Sequence, residues 1–134
     1  MTTAKVLLVE DEELNRALVR AILARTADPV LQDIALVEAP TLAAARAALA
    51  AADVDVVLLD LNLPDGDGLT LASELATEPA GRPEVIALTA SVLPQERAAA
   101  IDAGCDGFLD KPYVAADLVK MLVTHLNRRT QEPA

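Results

Sequence analysis

The sequence predicts an α/β fold in which five short parallel strands of a doubly wound sheet alternate with five helices in three layers. Three observations carry that prediction. Short uncharged runs of Val, Leu and Ile, such as Val56 to Leu59, match strands covered on both faces. Alanine-rich stretches with helical spacing separate them, and most of the runs end at a polar residue followed by a loop signal.

The elements follow in order. Lys5 to Val9 is the first strand, and it stops at Glu10, Asp11 and Glu12. From Glu13 to about Thr26, Leu14, Leu18, Ala21 and Ile22 recur near helical spacing with Arg16 and Arg20 on another face, until Asp28-Pro29 ends the helix. Ala35 to Glu38 is a short strand, and Thr41 caps an alanine-rich helix reaching about Ala52. The third strand stops at Asp60, because Pro64, Gly66 and Gly68 break the ladder beyond it. Leu69 to Ala76 is a helix closed by residues 78–83 (EPAGRP), and Val85 to Leu88 is a strand that delivers Thr89 to its end. Pro94 opens the fourth helix and Gly104 terminates it. Phe108 and Leu109 form the last strand, ahead of Asp110, Lys111 and Pro112. Val114 to about Asn127 is a final amphipathic helix, so a single domain over 1–127 is expected, with 128–134 a frayed C-terminal tail.

Composition narrows the function classes. A chain of 134 residues buries roughly two thirds of its unfolded surface without a covalent staple. Hydrophobic residues make up 53%, but only Phe108 and Tyr113 are aromatic, so the core is aliphatic. Cys105 is the only cysteine and His125 the only histidine, which excludes an internal disulfide and a Cys/His zinc site. A net charge of -10 argues against direct contact with nucleic acid. No apolar run is long enough to span a bilayer and no leader pattern follows Met1, so a cytoplasmic protein is expected.

Four of the five strands end in polar groups that folding does not require: Glu10 with Asp11, Asp60, Thr89 and Lys111. The flavodoxin-like strand order 2-1-3-4-5 is carried over from known sheets of this type, since strand order is not written in the residues. In that order strands one and three are neighbours, and the acids share one crevice. Two carboxylates about 4 Å apart repel by about 4 kcal/mol at an effective dielectric near 20. Three of them call for a cation, and hard oxygen donors with open positions suit Mg²⁺. With Lys111, that ion balances the acids and leaves a pocket for a phosphoryl group, which the Thr89 hydroxyl also contacts. Asp60 is then the candidate nucleophile, and Ala90 leaves room for the phosphoryl oxygens.

At these residues the chain resembles the response-regulator receiver domain of two-component signalling, in its single-domain, chemotaxis-regulator-like form. The likeness rests on VEDE at 9–12, LLDLNLPDGDG at 58–68, LTA at 88–90 and FLDKPY at 108–113, and covers nearly the whole chain. Each motif alone is weak, but the four in this order are specific. The resemblance implies that Asp60 is phosphorylated by a phosphohistidine of a sensor histidine kinase or histidine phosphotransfer protein. It implies Mg²⁺ held by Asp11, Asp60 and the backbone carbonyl of Asn62, with Glu10 acting through water. Thr89 and Lys111 would bind phosphoryl oxygens, and the Lys111-Pro112 bond would be cis. For the switch it implies that Thr89 moves toward the phosphate while Phe108 turns inward. Phe108 stands where many relatives carry tyrosine, and Glu10 where aspartate is frequent. The pair Asn15-Arg16 resembles receivers of hybrid kinases and their single-domain relatives.

The expected partners are therefore the phosphodonor protein and a downstream protein target, with room for a dimer that depends on phosphorylation. By resemblance, the readout surface is the fourth helix, fifth strand and fifth helix, and the docking patch is Leu14 and Asn15 with the Pro112 loop. Such a domain catalyses only its own phosphorylation and dephosphorylation, and is not a turnover enzyme. The stand-alone form is expected because no output domain follows. The alternative is a receiver cut from a hybrid kinase or a longer regulator. An aspartyl-nucleophile phosphohydrolase would want a second acid two residues after Asp60, where Asn62 stands.

Plainer readings account for some residues. Helix-dipole preference for early acids explains Glu12 and Glu13 well and Asp11 poorly. A calcium loop starting at Asp60 fails, since its fifth position would be Pro64 and its twelfth Leu71. Cys105 reads as a small packed residue, Tyr113 as cover for the last strand's edge, and His125 as a surface histidine far from the crevice.

Overall fold

The computed structural model describes residues 4–77, 82–89, 93–111 and 114–131, the last four of these as backbone only. Its elements are β1 (Lys5–Val9), α1 (Glu13–Arg25), α2 (Pro29–Gln32), β2 (Ala35–Ala39), α3 (Leu42–Ala51) and β3 (Val56–Asp60). They continue with β4 (Asn62–Leu63), β5 (Gly66–Asp67), α4 (Gly68–Ala76), β6 (Glu84–Thr89), α5 (Pro94–Asp102), β7 (Gly107–Asp110) and α6 (Ala115–Gln131). Five strands form one sheet in the order β2-β1-β3-β6-β7, all parallel. The five expected strands thus keep their expected spatial order. Only the numbering differs, because a two-residue-stranded antiparallel hairpin, β4 with β5, intervenes.

Alternation along the strands builds two apolar cores, one on each sheet face. In β1, Leu7 and Val9 point to the face covered by α3, α4 and α5, with Leu42, Leu71, Leu75 and Ala100 among its buried residues. Val6 and Leu8 point to the face covered by α1, α2 and α6, where Val19, Ile22, Leu31, Leu118 and Leu122 pack. β3 and β6 are buried along their whole length, as central strands sandwiched between helices must be. Cys105 lies in the first core, and burial, with the charge of Asp106, pushes its thiol up to about 11.

Four expectations need correction. The dipeptide Asp28-Pro29 not only follows α1 but starts an extra single-turn helix, α2, because Asp28 Oδ1 accepts from Val30 N–H at 2.9 Å and Pro29 fits the first turn. Six helices are therefore described where five were expected. On α1 the apolar stripe is only partly core-facing: Ile22 is buried together with Val19, whereas Leu18 is 39% exposed and Leu14, also expected in the docking patch, is 83% exposed at the helix start. α6 runs to Gln131, four residues past the expected boundary at Asn127, so 128–131 continue the helix. Lastly, His125 is buried, 3.1 Å through Nδ1 from Oε1 of the equally buried Glu84 at the start of β6.

Two glycines set the loop beside Asp60. A Cβ on Gly68 would fall well inside contact distance of the Asp60 carbonyl oxygen, so only glycine lets α4 begin so close to the end of β3. Gly66 adopts φ +151° in the hairpin, and a Cβ there would also press on Leu42. At the far end of α5, Gly104 has φ +106° and donates its N–H to Ile101 O at 3.0 Å.

Candidate functional site

The carboxyl ends of β1, β3, β6 and β7 deliver their terminal side chains to one rim of the sheet. Because β1 and β3 are adjacent, Val9 is in register with Leu59, and the next residue of each strand is an acid: Glu10 and Asp60. One carboxylate oxygen each from Glu10, Asp11 and Asp60 lies within 4.8 Å of the others. Glu10 is fully buried and Asp60 is 4% exposed, while Asp11 faces solvent. The three acids predicted to meet do meet.

Lys111, directly after β7, reaches across β6 into this group. Its Nζ is 3.0 Å from Glu10 Oε1 and 3.0 Å from Asp60 Oδ2. Each acid has a second partner from the backbone. Asp60 Oδ1 accepts from Asn62 N–H at 3.0 Å, and Glu10 Oε2 accepts from Glu12 N–H at 3.3 Å. Burial is the main influence on Asp60 and, helped by the proximity of Glu10, outweighs Asn62 N–H and Lys111, so its carboxyl is pushed up to about 6. For Lys111, burial works against the charged form, but hydrogen bonds to Asp60 and Glu10 prevail and raise its pKa.

Thr89 ends β6 and is 8% exposed. It lines a cleft of about 750 Å³ together with Leu61, Asn62, Asp67 and Glu96, so the hydroxyl-bearing residue and the Asp60 loop share one opening. Phe108 lies on β7 beneath Arg97, whose guanidinium carbon is 5.4 Å from the ring centroid and whose Nη2 donates to Asp110 Oδ1 at 2.7 Å. Ala90, Pro112 with its expected cis bond, and Tyr113 lie outside the described residues.

The donor set fits a hard cation. Three carboxylates against one ammonium leave an excess of two negative charges, and their oxygens are the ligands that small divalent ions prefer. Asp11 is exposed, so the acidic cluster reaches the surface at that residue.

Two supporting contacts are not foreseen from the sequence. Asp65, in the turn of the β4–β5 hairpin, accepts from Leu42 N–H at 2.9 Å and Ala43 N–H at 3.1 Å, clamping the loop after Asp60 to the start of α3. These amides, Leu42 first, hold its carboxyl below the usual range despite some opposing burial. Arg16, expected on the polar face of α1 and as part of the Asn15-Arg16 pair, donates through Nη1 to Glu10 O at 2.8 Å. An Asp in a Pro-Asp-Gly turn is a detectable signal; the reach of Arg16 is not.

A doubly wound sheet with a buried aspartate, two further acids, a threonine and a lysine on one rim defines a small α/β domain with a cation-ready cluster at the carboxyl ends of its strands. Comparison with known proteins then makes the assignment. The model of the response regulator receiver domain matches residues 6–123. The transcriptional regulatory protein KdpE of the KDP operon in Escherichia coli (strain K12) is 35% identical over 129 residues, covering 96% of this chain and 54% of that protein. The aerobic respiration control sensor protein ArcB of the same organism is 37% identical over 119 residues, 87% of this chain and 14% of ArcB. The chain thus spans about half the length of one of these relatives and a small part of the other. Among solved structures, the receiver domain of the Pseudomonas aeruginosa sensor histidine kinase PA1611, with a magnesium ion coordinated in its active-site cleft, superposes with TM-score 0.79. That pair is 27% identical and covers 94% of this chain and 99% of the other. The chain belongs to the response regulator receiver domain family.

Proposed function

We propose that this receiver domain is a phosphorylation switch in which Asp60 accepts a phosphoryl group from a phosphohistidine of a sensor histidine kinase or histidine phosphotransfer protein. The observation that carries this reading is the meeting of Glu10, Asp11 and Asp60 within 4.8 Å, with Lys111 Nζ 3.0 Å from two of them. In the transfer, a bond forms between phosphorus and an Asp60 carboxylate oxygen while the donor's P–N bond breaks, and the imidazole leaves with the electron pair. Mg²⁺, held by Asp11, Asp60 and the Asn62 carbonyl with Glu10 behind them, would supply neutralisation of charge on the phosphoryl oxygens.

The chain's own groups do the rest. Asn62 N–H and the Lys111 ammonium orient the two Asp60 oxygens and favour the ionised form that attacks. Lys111 then turns from carboxylate to phosphoryl oxygen, Thr89 contacts another, and Ala90 leaves space for them. Thr89 and Phe108 carry the change to the α5, β7 and α6 surface, where a downstream protein, or a second phosphorylated copy, reads it. Asn62, in place of a second acid, supports an acceptor over a turnover hydrolase. Among the described residues no helix is long and apolar enough to cross a membrane. The cytoplasm, where a histidine kinase or phosphotransfer protein would donate the phosphoryl group, is the location this proposal assigns.

The test is incubation with a small phosphodonor and Mg²⁺ followed by intact-mass measurement. One phosphoryl adduct on the wild type, absent from Asp60→Asn and absent without the metal, is expected. Equal labelling of both proteins would refute the assignment to Asp60.

A further inference from the structure

We infer that Arg16 is a positioning residue for the cation site, holding the loop that presents Asp11 to Asp60. The inference rests on the cation-assisted reading of the pocket. Glu10 and Asp11 lie between the end of β1 and the start of α1, so neither a ladder nor a helix sets the peptide that joins them. Upstream of it, Glu10 N–H donates to Ala39 O at 3.0 Å. The joining peptide itself is held through its carbonyl, by the 2.8 Å bond from Arg16 Nη1 to Glu10 O.

The same guanidinium is engaged on its other edges. Nη2 donates to Glu13 Oε2 at 2.7 Å, and Nε faces Glu38 Oε1 of β2 at 3.4 Å. Arg20 supports both acids, bonding Glu13 at 2.7 Å and Glu38 as well. One planar group therefore ties the acidic loop to the first turn of α1 and to the edge strand β2. The Arg16 side chain is only 16% exposed, so this placement is packed as well as bonded. A lysine cannot reproduce it, because an ammonium offers a single point of attachment in place of a rigid fork.

Charge and position predict opposite outcomes. Removing a positive group near a cation site strengthens cation binding by Coulomb's law alone. Letting the Glu10–Asp11 peptide turn weakens it, because one of the three carboxylates leaves the cluster.

The experiment is a titration of Mg²⁺ into the unphosphorylated protein, followed by the backbone amide shifts of residues 10–12 and 60–62, for wild type, Arg16→Gln and Arg16→Lys. Thermal unfolding is recorded alongside. We expect Arg16→Gln to bind about tenfold more weakly and Arg16→Lys to fall between it and wild type. Equal or tighter binding by Arg16→Gln overturns the inference. If that variant does not fold, Arg16→Lys decides, and wild-type affinity there overturns it. A wild type whose shifts do not respond to Mg²⁺ removes the cation reading itself, and the role of Arg16 with it.

Discussion

Lys111 Nζ and Asp60 Oδ2 lie 3.0 Å apart across 51 residues of sequence, the ammonium partly and the carboxylate almost wholly buried. Even so, the lysine does not offset the loss of water around Asp60, whose pKa is pushed up to about 6, first by burial. The native state therefore holds a proton at Asp60 more tightly than the unfolded chain does.

The sign of the pH effect follows. Between roughly pH 4 and 6 the native state binds the proton and the unfolded state has released it, so this group lowers stability as pH rises, and the deficit is complete above about 6. Asp60→Asn keeps the shape and does not titrate. With divalent ions removed by chelator, we expect the variant to exceed wild type by about 2 kcal/mol at pH 7.5, after allowance for screening at a rim site, and to lose that advantage toward pH 4. Urea denaturation of both proteins at the two pH values measures it. A difference that stays constant, or grows in acid, contradicts the burial argument.

Gly68→Ala should be costly although the substitution is small. The added methyl meets the Asp60 carbonyl, which is backbone and cannot rotate away. Either α4 or the end of β3 must move, at about 1–3 kcal/mol. The stability loss should come with slower labelling of Asp60 by a small phosphodonor, since the shifted atoms belong to Asp60, the proposed nucleophile. Full activity at reduced stability would place the adjustment in α4.

The buried Glu84–His125 contact ties β6 to α6 at the sheet end opposite the acids. Single changes Glu84→Gln and His125→Leu should each destabilise by more than 1 kcal/mol, while the double variant loses less than their sum, with a coupling of about 1–2 kcal/mol. A double-mutant cycle by chemical denaturation reads this directly. Strict additivity would mean that the two residues are neighbours without being partners.

The sequence made the sheet legible because its strands are short, uncharged and buried on both faces, leaving few other interpretations for Val56 to Leu59 or Val85 to Leu88. The acids and Lys111 were legible for a related reason: a charge directly after such a run must leave the core at the rim. The features that leave little trace in the sequence are short or depend on tertiary reach. The β4–β5 hairpin has strands of two residues, too few for any period to register. Asp28-Pro29 carries both a stop and a start, and a helix of four residues is too short for its start to register in the pattern. His125 is a polar residue type that suggests the surface, yet it lies three residues after Leu122 and seven after Leu118, on the buried stripe of α6. The bond from Arg16 to Glu10 depends on where a long side chain ends, which no spacing rule specifies.

The chain carries one sulfhydryl, and its burial beside Asp106 leaves almost none of it as thiolate at neutral pH. Wild-type protein should thus resist maleimides. A second, introduced cysteine at an exposed place, for example Asp102→Cys on α5, would take a fluorophore alone. Movements of that helix could then be followed optically in a protein whose interior has not been altered to silence a competing label.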